Sequence, residues 1–114
     1  RLVPAAIVAR ELNIRLVDTL CICTISREQT GGEEILKAIE GDGDGWLVID
    51  DLVDTGNTAT IIRNMLPKAH FATLYSKPPE ALVETFITEV SQDTWILFPW
   101  DSEVQYTAPL VEQN

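Results

Sequence analysis

The sequence contains few basic residues, with eight Lys and Arg against 18 Asp and Glu and a net charge of −10. This charge argues against nucleic acid or an anionic membrane surface as a partner, because both would be repelled. It also opposes a phosphate-rich ligand, so local groups or a bound cation must overcome the field of the whole molecule at any phosphate site.

Cysteine, histidine and long apolar runs are also scarce. Cys21 and Cys23 lie two residues apart in a segment typical of a strand, which is a poor geometry for a mutual disulfide. We therefore expect free thiols and a cytoplasmic protein. His70 is the only histidine and follows a predicted helix, which favours a surface or packing position over a catalytic one. No apolar run is long enough to span a membrane, and the first residues do not resemble a signal peptide.

The 114 residues suit one domain over 1–114, and its most informative segment runs from Trp46 to Ala59. Four consecutive apolar residues, 46–49, predict a strand buried on both faces. Asp50 and Asp51 follow where we expect that strand to end. Side chains of adjacent strand residues start on opposite faces, so these two carboxylates are predicted to do different jobs.

The loop at residues 54–58 is typical of a phosphate site. It leads into residues 59–66, which predict a helix, and a helix N-terminus offers backbone N–H groups and a positive dipole end to an anion. Thr55 and Thr58 add hydroxyl donors, and Gly56 permits a tight turn. Carboxylates beside such a site have two reasonable uses, which are to accept hydrogen bonds from a sugar diol or to hold Mg²⁺ that the phosphates share.

The first part of the chain predicts two elements and a loop. Residues 2–12 predict a mostly buried helix, with Pro4 suited to its first turn. Residues 15–23 predict a strand. Residues 24–34, with Ser, Thr and two glycines, predict a mobile loop, and 35–39 predict a short strand.

The second part predicts three further apolar segments. Residues 69–75 predict a strand, with 76–79 at its carboxyl end. Residues 82–90 predict a short edge strand, 95–98 form a compact apolar run, and 101–114 form a polar C-terminal tail. The alternation of strands and helices predicts an α/β fold with a mostly parallel sheet flanked by helices.

Residues 47–58 resemble the signature of the type I phosphoribosyltransferases, in which an apolar run, two acids and two apolar residues precede Asp-Thr-Gly-x-Thr. The chain is most similar to the bacterial purine-salvage members, from Leu2 to about Trp100. In that family a strand and an Arg-Gly-Gly pyrophosphate loop precede Leu-Val-Pro, whereas here Arg1 stands at the position of the last glycine. The resemblance thus implies an N-terminally truncated version of the fold, either a fragment or a natural variant that lost this part, with an exposed sheet edge. Members of the family are oligomers, and we expect a homo-oligomer here as well.

The resemblance also implies an activity. The family transfers the phosphoribosyl group of phosphoribosyl pyrophosphate (PRPP) to guanine, xanthine or hypoxanthine and releases pyrophosphate. It implies Mg²⁺ as the cofactor, and PRPP with a 6-oxopurine, or the product nucleotide, as ligands.

By the same resemblance, residues in the signature segment bind PRPP. The 5′-phosphate is expected at Asp54, Thr55, Gly56, Asn57 and Thr58. Asp50 and Asp51 are expected at the ribose hydroxyls, with Asp51 also holding Mg²⁺. Asp54 matches the family acid at N7 of the purine, a suitable general acid/base.

Residues outside the signature match the positions that bind the base and close the site. Lys77 matches the lysine that donates to the 6-oxo group, and a loop lysine at the surface is the alternative. Trp95 and Ile96 match the segment that packs on the base, and a core position is the alternative for Trp95. In the mobile loop the family's basic residue aligns with Gly31, so Arg27 is the candidate to replace it in catalysis.

Other classes of protein share parts of this pattern. A non-catalytic nucleotide-binding or oligomerisation module on the same fold stays open. The short interval from Asp51 to Lys77 excludes a two-component receiver domain. A P-loop ATPase is excluded because no Gly-Lys-Ser/Thr follows a glycine-rich turn.

Overall fold

The computed structural model describes residues 2–24, 32–77, 83–101 and 110–112. Its elements in chain order are α1 (Leu2–Glu11), β1 (Cys21–Thr24), β2 (Glu33–Lys37), β3 (Leu47–Val53), α2 (Asn57–Met65), β4 (His70–Ser76), β5 (Thr85–Glu89) and a final 3-10 turn (Leu110–Glu112). β3, β4 and β5 form a parallel sheet with β4 in the centre, and β1 and β2 form a separate antiparallel pair. The expected α/β fold with a parallel sheet flanked by helices is confirmed. None of the described helices is long and apolar enough to cross a membrane.

The core lies between α2 and the sheet. Its buried members are Val53, Ala59, Ile62, Phe71 and Val83, with Leu20, Ile22 and Val48 packed against them. Ala59 and Ile62 are three residues apart, so they occupy one face of α2. Val48 and Phe71 are partners in the β3–β4 register and therefore lie on the same face of the sheet. Each large apolar side chain buried here contributes about 1.5–3 kcal/mol.

The predicted strand over 15–23 is shorter in the structure, where β1 begins only at Cys21. The preceding residues form local contacts instead. Asp18 Oδ1 accepts a hydrogen bond from the Thr19 N–H, and Lys37 Nζ donates to Asp18 Oδ1 at 2.5 Å and to the Thr19 carbonyl at 2.8 Å. Side chain to backbone bonds of this kind compete with a β ladder, which explains why the strand starts late.

The expectation that α1 is mostly buried is wrong. Only Pro4 of this helix is buried, while Leu2 is 65% and Ile7 58% exposed. The helix lies beside β3, which is an edge strand among the described residues. A cavity of about 670 Å³ separates parts of α1 from this edge, so the apolar side chains of the helix find little to pack against.

The central strand also differs from its prediction. β3 continues through Asp50 and Asp51 to Val53 instead of ending before the two acids. Residues 47–50 are half-buried, not buried on both faces, because β3 has only β4 as a neighbour in the described sheet. α2 begins at Asn57, two residues earlier than predicted, because Gly56 supplies the left-handed turn that starts the helix.

The remaining strands, β2, β4 and β5, lie close to the segments predicted as strands. β2 begins at Glu33, so the strand includes the last two residues of the predicted loop, and 25–31 lie outside the described residues. β4 is shifted by one residue from the predicted strand 69–75, β5 falls within the predicted strand 82–90, and β5 is an edge strand of the described sheet. His70 is exposed and its Nε2 lies 2.7 Å from Thr85 Oγ1, which confirms its predicted surface position.

One ion pair connects α2 to the segment before β5. Arg63 Nη2 lies 2.6 Å from Glu84 Oε2, and the same carboxylate oxygen accepts a hydrogen bond from the Phe71 N–H at 2.7 Å. Burial raises the pKa of Glu84, but the hydrogen bonds from Phe71 and Arg63 outweigh it and hold the pKa below its ordinary value of 4.5. The stability that this carboxylate contributes is therefore present above that ordinary value and is lost as the pH falls through the depressed pKa.

The turn before β3 depends on one glycine. Gly43 is buried with φ of +91°, and a Cβ there would lie 2.8 Å from Leu66 Cβ and 2.9 Å from Ala69 N. Gly41 has a similar φ of +94°, but its Cβ would meet nothing within 4 Å. Both positions disfavour an L side chain, and only Gly43 adds a clash with neighbouring backbone.

We predict that Gly43→Ala lowers the free energy of unfolding by about 2–4 kcal/mol, from backbone strain and overpacking together. The control Gly41→Ala carries strain alone and is expected to cost about 1 kcal/mol. Urea unfolding followed by circular dichroism measures both. Equal losses in the two variants would contradict the packing assigned to Gly43.

Candidate active site

The carboxyl ends of β3 and β4 place two chemically distinct segments side by side. Val53 and Ser76 are register partners, and the Lys77 N–H donates to the Val53 carbonyl at 2.9 Å, which extends the pairing by one residue. The loop that follows β3 and the lysine that follows β4 therefore leave the sheet at adjacent positions. Ligands of open α/β sheets bind at this edge.

Lys77 and Asp54 form an ion pair at this edge, with Lys77 Nζ 3.1 Å from Asp54 Oδ1. The Lys77 side chain is 6% exposed and that of Asp54 57% exposed. A nearly buried ammonium needs partners, and Nζ also donates to the Gln92 carbonyl at 3.3 Å. This burial rules out the alternative of a loop lysine at the surface. The ion pair places one positive charge next to one accessible carboxylate.

A tight turn at residues 91–94 holds the Gln92 carbonyl in this position. The Thr94 N–H donates to the Ser91 carbonyl at 3.1 Å, and the Ser91 hydroxyl donates to Asp93 Oδ1 at 2.5 Å. That hydrogen bond is the main cause that lowers the pKa of Asp93 below 3.8, and the nearby charge of Lys77 acts in the same direction. Asp93 is thus ionised at neutral pH close to the lysine.

The loop between β3 and α2 has the backbone geometry expected of an anion site. Gly56 adopts φ of 87° and ψ of 0°, and no side chain caps the helix that follows. The Thr60 N–H and hydroxyl both donate to the Gly56 carbonyl, at 2.9 and 2.8 Å, which fixes the start of the first turn. The first N–H groups of a helix have no partner within the helix, so they are available to a ligand.

Two threonines of this loop make different contacts. Thr55 Oγ1 accepts a long hydrogen bond from the Asn57 N–H at 3.4 Å. The Thr58 hydroxyl donates to the carboxylate of Glu33, with both carboxylate oxygens at 3.2 Å. The Glu33 carboxylate thus accepts the hydrogen bond that the Thr58 hydroxyl was expected to donate to a phosphate.

Asp50 and Asp51 lie within β3, shortly before the loop that starts at Asp54. Asp51 is 6% exposed, whereas Asp50 is half-buried and its Oδ1 accepts from the Asp51 N–H at 2.9 Å. Their carboxylate oxygens are the hard ligands that Mg²⁺ prefers. Among the described residues no group of three or more His, Cys, Asp or Glu could hold a metal ion.

The remaining predicted site residues are spread more widely. Trp95 is 62% exposed, which excludes the core position that was its alternative, and Ile96 is half-buried. Phe98 takes the core role nearby, with its ring 5.0 Å from that of Trp100 and nearly parallel to it. Arg27 lies outside the described residues.

Two groups that contact the site were not predicted from the sequence. The Gln92 carbonyl is a backbone group, so no side chain marks it in the sequence. Glu33 lies within the predicted loop 24–34, and its contact with α2 depends on the β1–β2 pairing. The apolar residues at Ile22 and Ile35 were the available indication that this hairpin has an inward face.

Comparisons with known proteins find similar sequences and folds. The family model described as "Phosphoribosyl transferase domain" matches residues 2–107. A protein named xanthine-guanine phosphoribosyltransferase from Nitratidesulfovibrio vulgaris (strain DP4) is 67% identical over 114 residues, covering 98% of this chain and 70% of that protein. A relative of the same name from Desulfotalea psychrophila is 62% identical over 112 residues, covering 96% of this chain and 70% of its own length.

Solved structures share the fold at low sequence identity. A purine phosphoribosyltransferase from Pyrococcus horikoshii superposes with a TM-score of 0.73 at 20% identity, covering 94% of this chain and 75% of that one. The Helicobacter pylori xanthine-guanine-hypoxanthine phosphoribosyltransferase gives a TM-score of 0.59 at 17% identity, covering 78% of this chain and 64% of that one. At these identities the likeness concerns the fold alone.

We predict that Asp54→Asn lowers the free energy of unfolding by about 1 kcal/mol, because the nearly buried Lys77 ammonium loses its anion. The amide keeps the shape and can still accept a hydrogen bond, so the change isolates the charge. Asp44→Asn, in an exposed turn, is the matched control and is expected to change stability by less than about 0.5 kcal/mol. Thermal unfolding at neutral pH measures both, and equal effects would contradict the importance of the pair.

Proposed function

Because this chain belongs to the phosphoribosyltransferase family, we propose that it transfers the phosphoribosyl group of PRPP to a 6-oxopurine and releases pyrophosphate. The observation that carries this proposal is the Lys77–Asp54 pair beside a helix-opening loop at the carboxyl edge of the sheet. Relatives at 62–67% identity that are named xanthine-guanine phosphoribosyltransferase support guanine, xanthine or hypoxanthine as the acceptor. These names favour the enzyme over a non-catalytic module.

We propose that the loop 54–58 binds the 5′-phosphate. Backbone N–H groups at the start of α2, after the left-handed turn at Gly56, and the hydroxyls of Thr55 and Thr58 supply donors for it. Asp50 and Asp51 belong at the ribose hydroxyls, since a carboxylate accepts two hydrogen bonds from a diol. They lie in β3 just before the loop, which supports a ligand whose sugar lies along β3 and whose phosphate lies at the loop.

We propose that the base binds against Lys77. An ammonium suits the 6-oxo group of guanine or hypoxanthine and rejects adenine, whose 6-amino group is itself a donor. The Asp54 carboxylate, 3.1 Å from the same ammonium, then faces the adjacent N7 of the purine. Trp95, at 62% exposure, offers an accessible ring to stack on the base, with Ile96 beside it.

The proposed reaction is the displacement of pyrophosphate from the anomeric carbon by a purine nitrogen. Its transition state resembles an oxocarbenium ion, so the residues contribute by holding base and sugar in line and by placing charge. Asp54 serves as the general acid/base that exchanges a proton with the purine. Arg27 is retained as a candidate to neutralise the leaving group. Mg²⁺ bound with PRPP would neutralise phosphate charge, and Asp51 is the carboxylate proposed to hold it.

Two further properties are proposed with the activity. We propose a homo-oligomer, which is supported by the exposed apolar residues of α1, among them Leu2 and Ile7. We also propose a cytoplasmic setting, which is supported by the unpaired thiols of Cys21 and Cys23.

The test is a calorimetric titration with guanosine monophosphate (GMP), with and without Mg²⁺, followed by a turnover assay with PRPP and guanine. We expect binding and turnover in the unmodified chain. In Lys77→Met the loss of the donor to the 6-oxo group is expected to lower kcat/KM for guanine at least about tenfold.

Lys68→Met is the matched control, because Lys68 is 66% exposed and pairs with Asp42 in the turn before β3. It is expected to retain turnover within about twofold of the unmodified chain. GMP binding without any turnover would support a nucleotide-binding module instead. Absence of GMP binding would overturn the site, provided that circular dichroism shows a folded chain.

A further inference from the structure

The Thr58 hydroxyl on the first turn of α2 is already engaged by an anion of the chain itself. Both carboxylate oxygens of Glu33 lie 3.2 Å from Thr58 Oγ1. We infer that Glu33 is an internal competitor, an autoinhibitory contact that occupies part of the phosphate loop and must be displaced before a phosphate ligand binds. This inference rests on the proposed function of that loop.

The β1–β2 pairing explains how Glu33 reaches the helix. In its register Ile22 is opposite Ile35 and Thr24 is opposite Glu33, so Glu33 and Ile35 are two residues apart on the face that Ile22 occupies. Ile22 packs against the core that includes Ala59 and Ile62 of α2. The same face therefore directs Glu33 to the first turn of this helix, where Thr58 lies.

The contact and a bound phosphate exclude each other for two reasons. A hydroxyl has a single proton, so a Thr58 hydroxyl that donates to Glu33 does not donate to a phosphate oxygen. The carboxylate and the phosphate also repel at this distance. The positive end of the helix dipole stabilises whichever anion is present, and Glu33 consequently takes a place that favours an anion.

Three variants test the length and the charge of the Glu33 side chain. Glu33→Gln removes the charge and Glu33→Asp keeps it but shortens the side chain by one methylene group, so both weaken the contact. Glu34→Gln is the matched control, because Glu34 is exposed, follows directly in β2 and points to the other face. It makes the same change in net charge as Glu33→Gln.

The probes are GMP and guanosine, which differ only in the phosphate, titrated by calorimetry into each folded variant. We expect Glu33→Gln and Glu33→Asp to lower the Kd for GMP about threefold to tenfold. The Kd for guanosine is expected to stay within about twofold in both, and Glu34→Gln to change neither Kd by more than about twofold.

The outcomes are distinguishable from failure of the proposed function. If the unmodified chain binds GMP and Glu33→Gln gains no more affinity than Glu34→Gln, the competition is refuted while the phosphate site stands. A gain for guanosine equal to that for GMP would also refute it. If neither the unmodified chain nor any variant binds GMP, the proposed phosphate site is wrong, and the inference is wrong with it.

Discussion

The site depends on the parallel pairing of β3 with β4. Their register places Val53 beside Ser76, and the hydrogen bond from the Lys77 N–H to the Val53 carbonyl carries the pairing past the end of both strands. A shift of one residue would turn the Lys77 side chain to the other face and separate it from Asp54. Phe71 and the α2 residues packed on it fix that register by burying one face of the sheet. The chemistry at the carboxyl edge is therefore a consequence of core packing several residues away.

Local sequence patterns predicted the elements whose cause is local. The β4 segment and the helix that follows Gly56 were both indicated, by an apolar run and by glycine. Features that depend on tertiary neighbours were missed. The half-burial of β3 and the exposure of Ile7 follow from the position of β3 at the edge of the described sheet, which no pattern within either segment encodes. The predicted position of Lys77 at the carboxyl end of its strand placed it on the side of the loop after β3, but its ion pair with Asp54, 23 positions earlier in the sequence, depends on the pairing of the strands.

Charge is distributed unevenly for a chain of net charge −10. One nearly buried ammonium, Lys77, faces an edge where Asp54 and Asp93 are both close, and the proposed phosphate loop offers backbone and hydroxyl donors in place of basic side chains. Such donors act at short range, so they can hold an anion that the field of the whole molecule repels. The engagement of Thr58 by Glu33 belongs to the same pattern, because a site that attracts anions also attracts the acidic groups of its own chain.

The central claim is that the loop after β3 and the lysine after β4 form one ligand site. Its most direct test is an NMR titration of the ¹⁵N-labelled chain with GMP, in which the chemical shifts of the backbone amides are measured. The account predicts the largest shift changes at Asp54, Gly56, Thr58 and Lys77, saturating together with a single dissociation constant. Changes confined to α1 or to the turn at Gly43, with Asp54 and Lys77 unaffected, would contradict it.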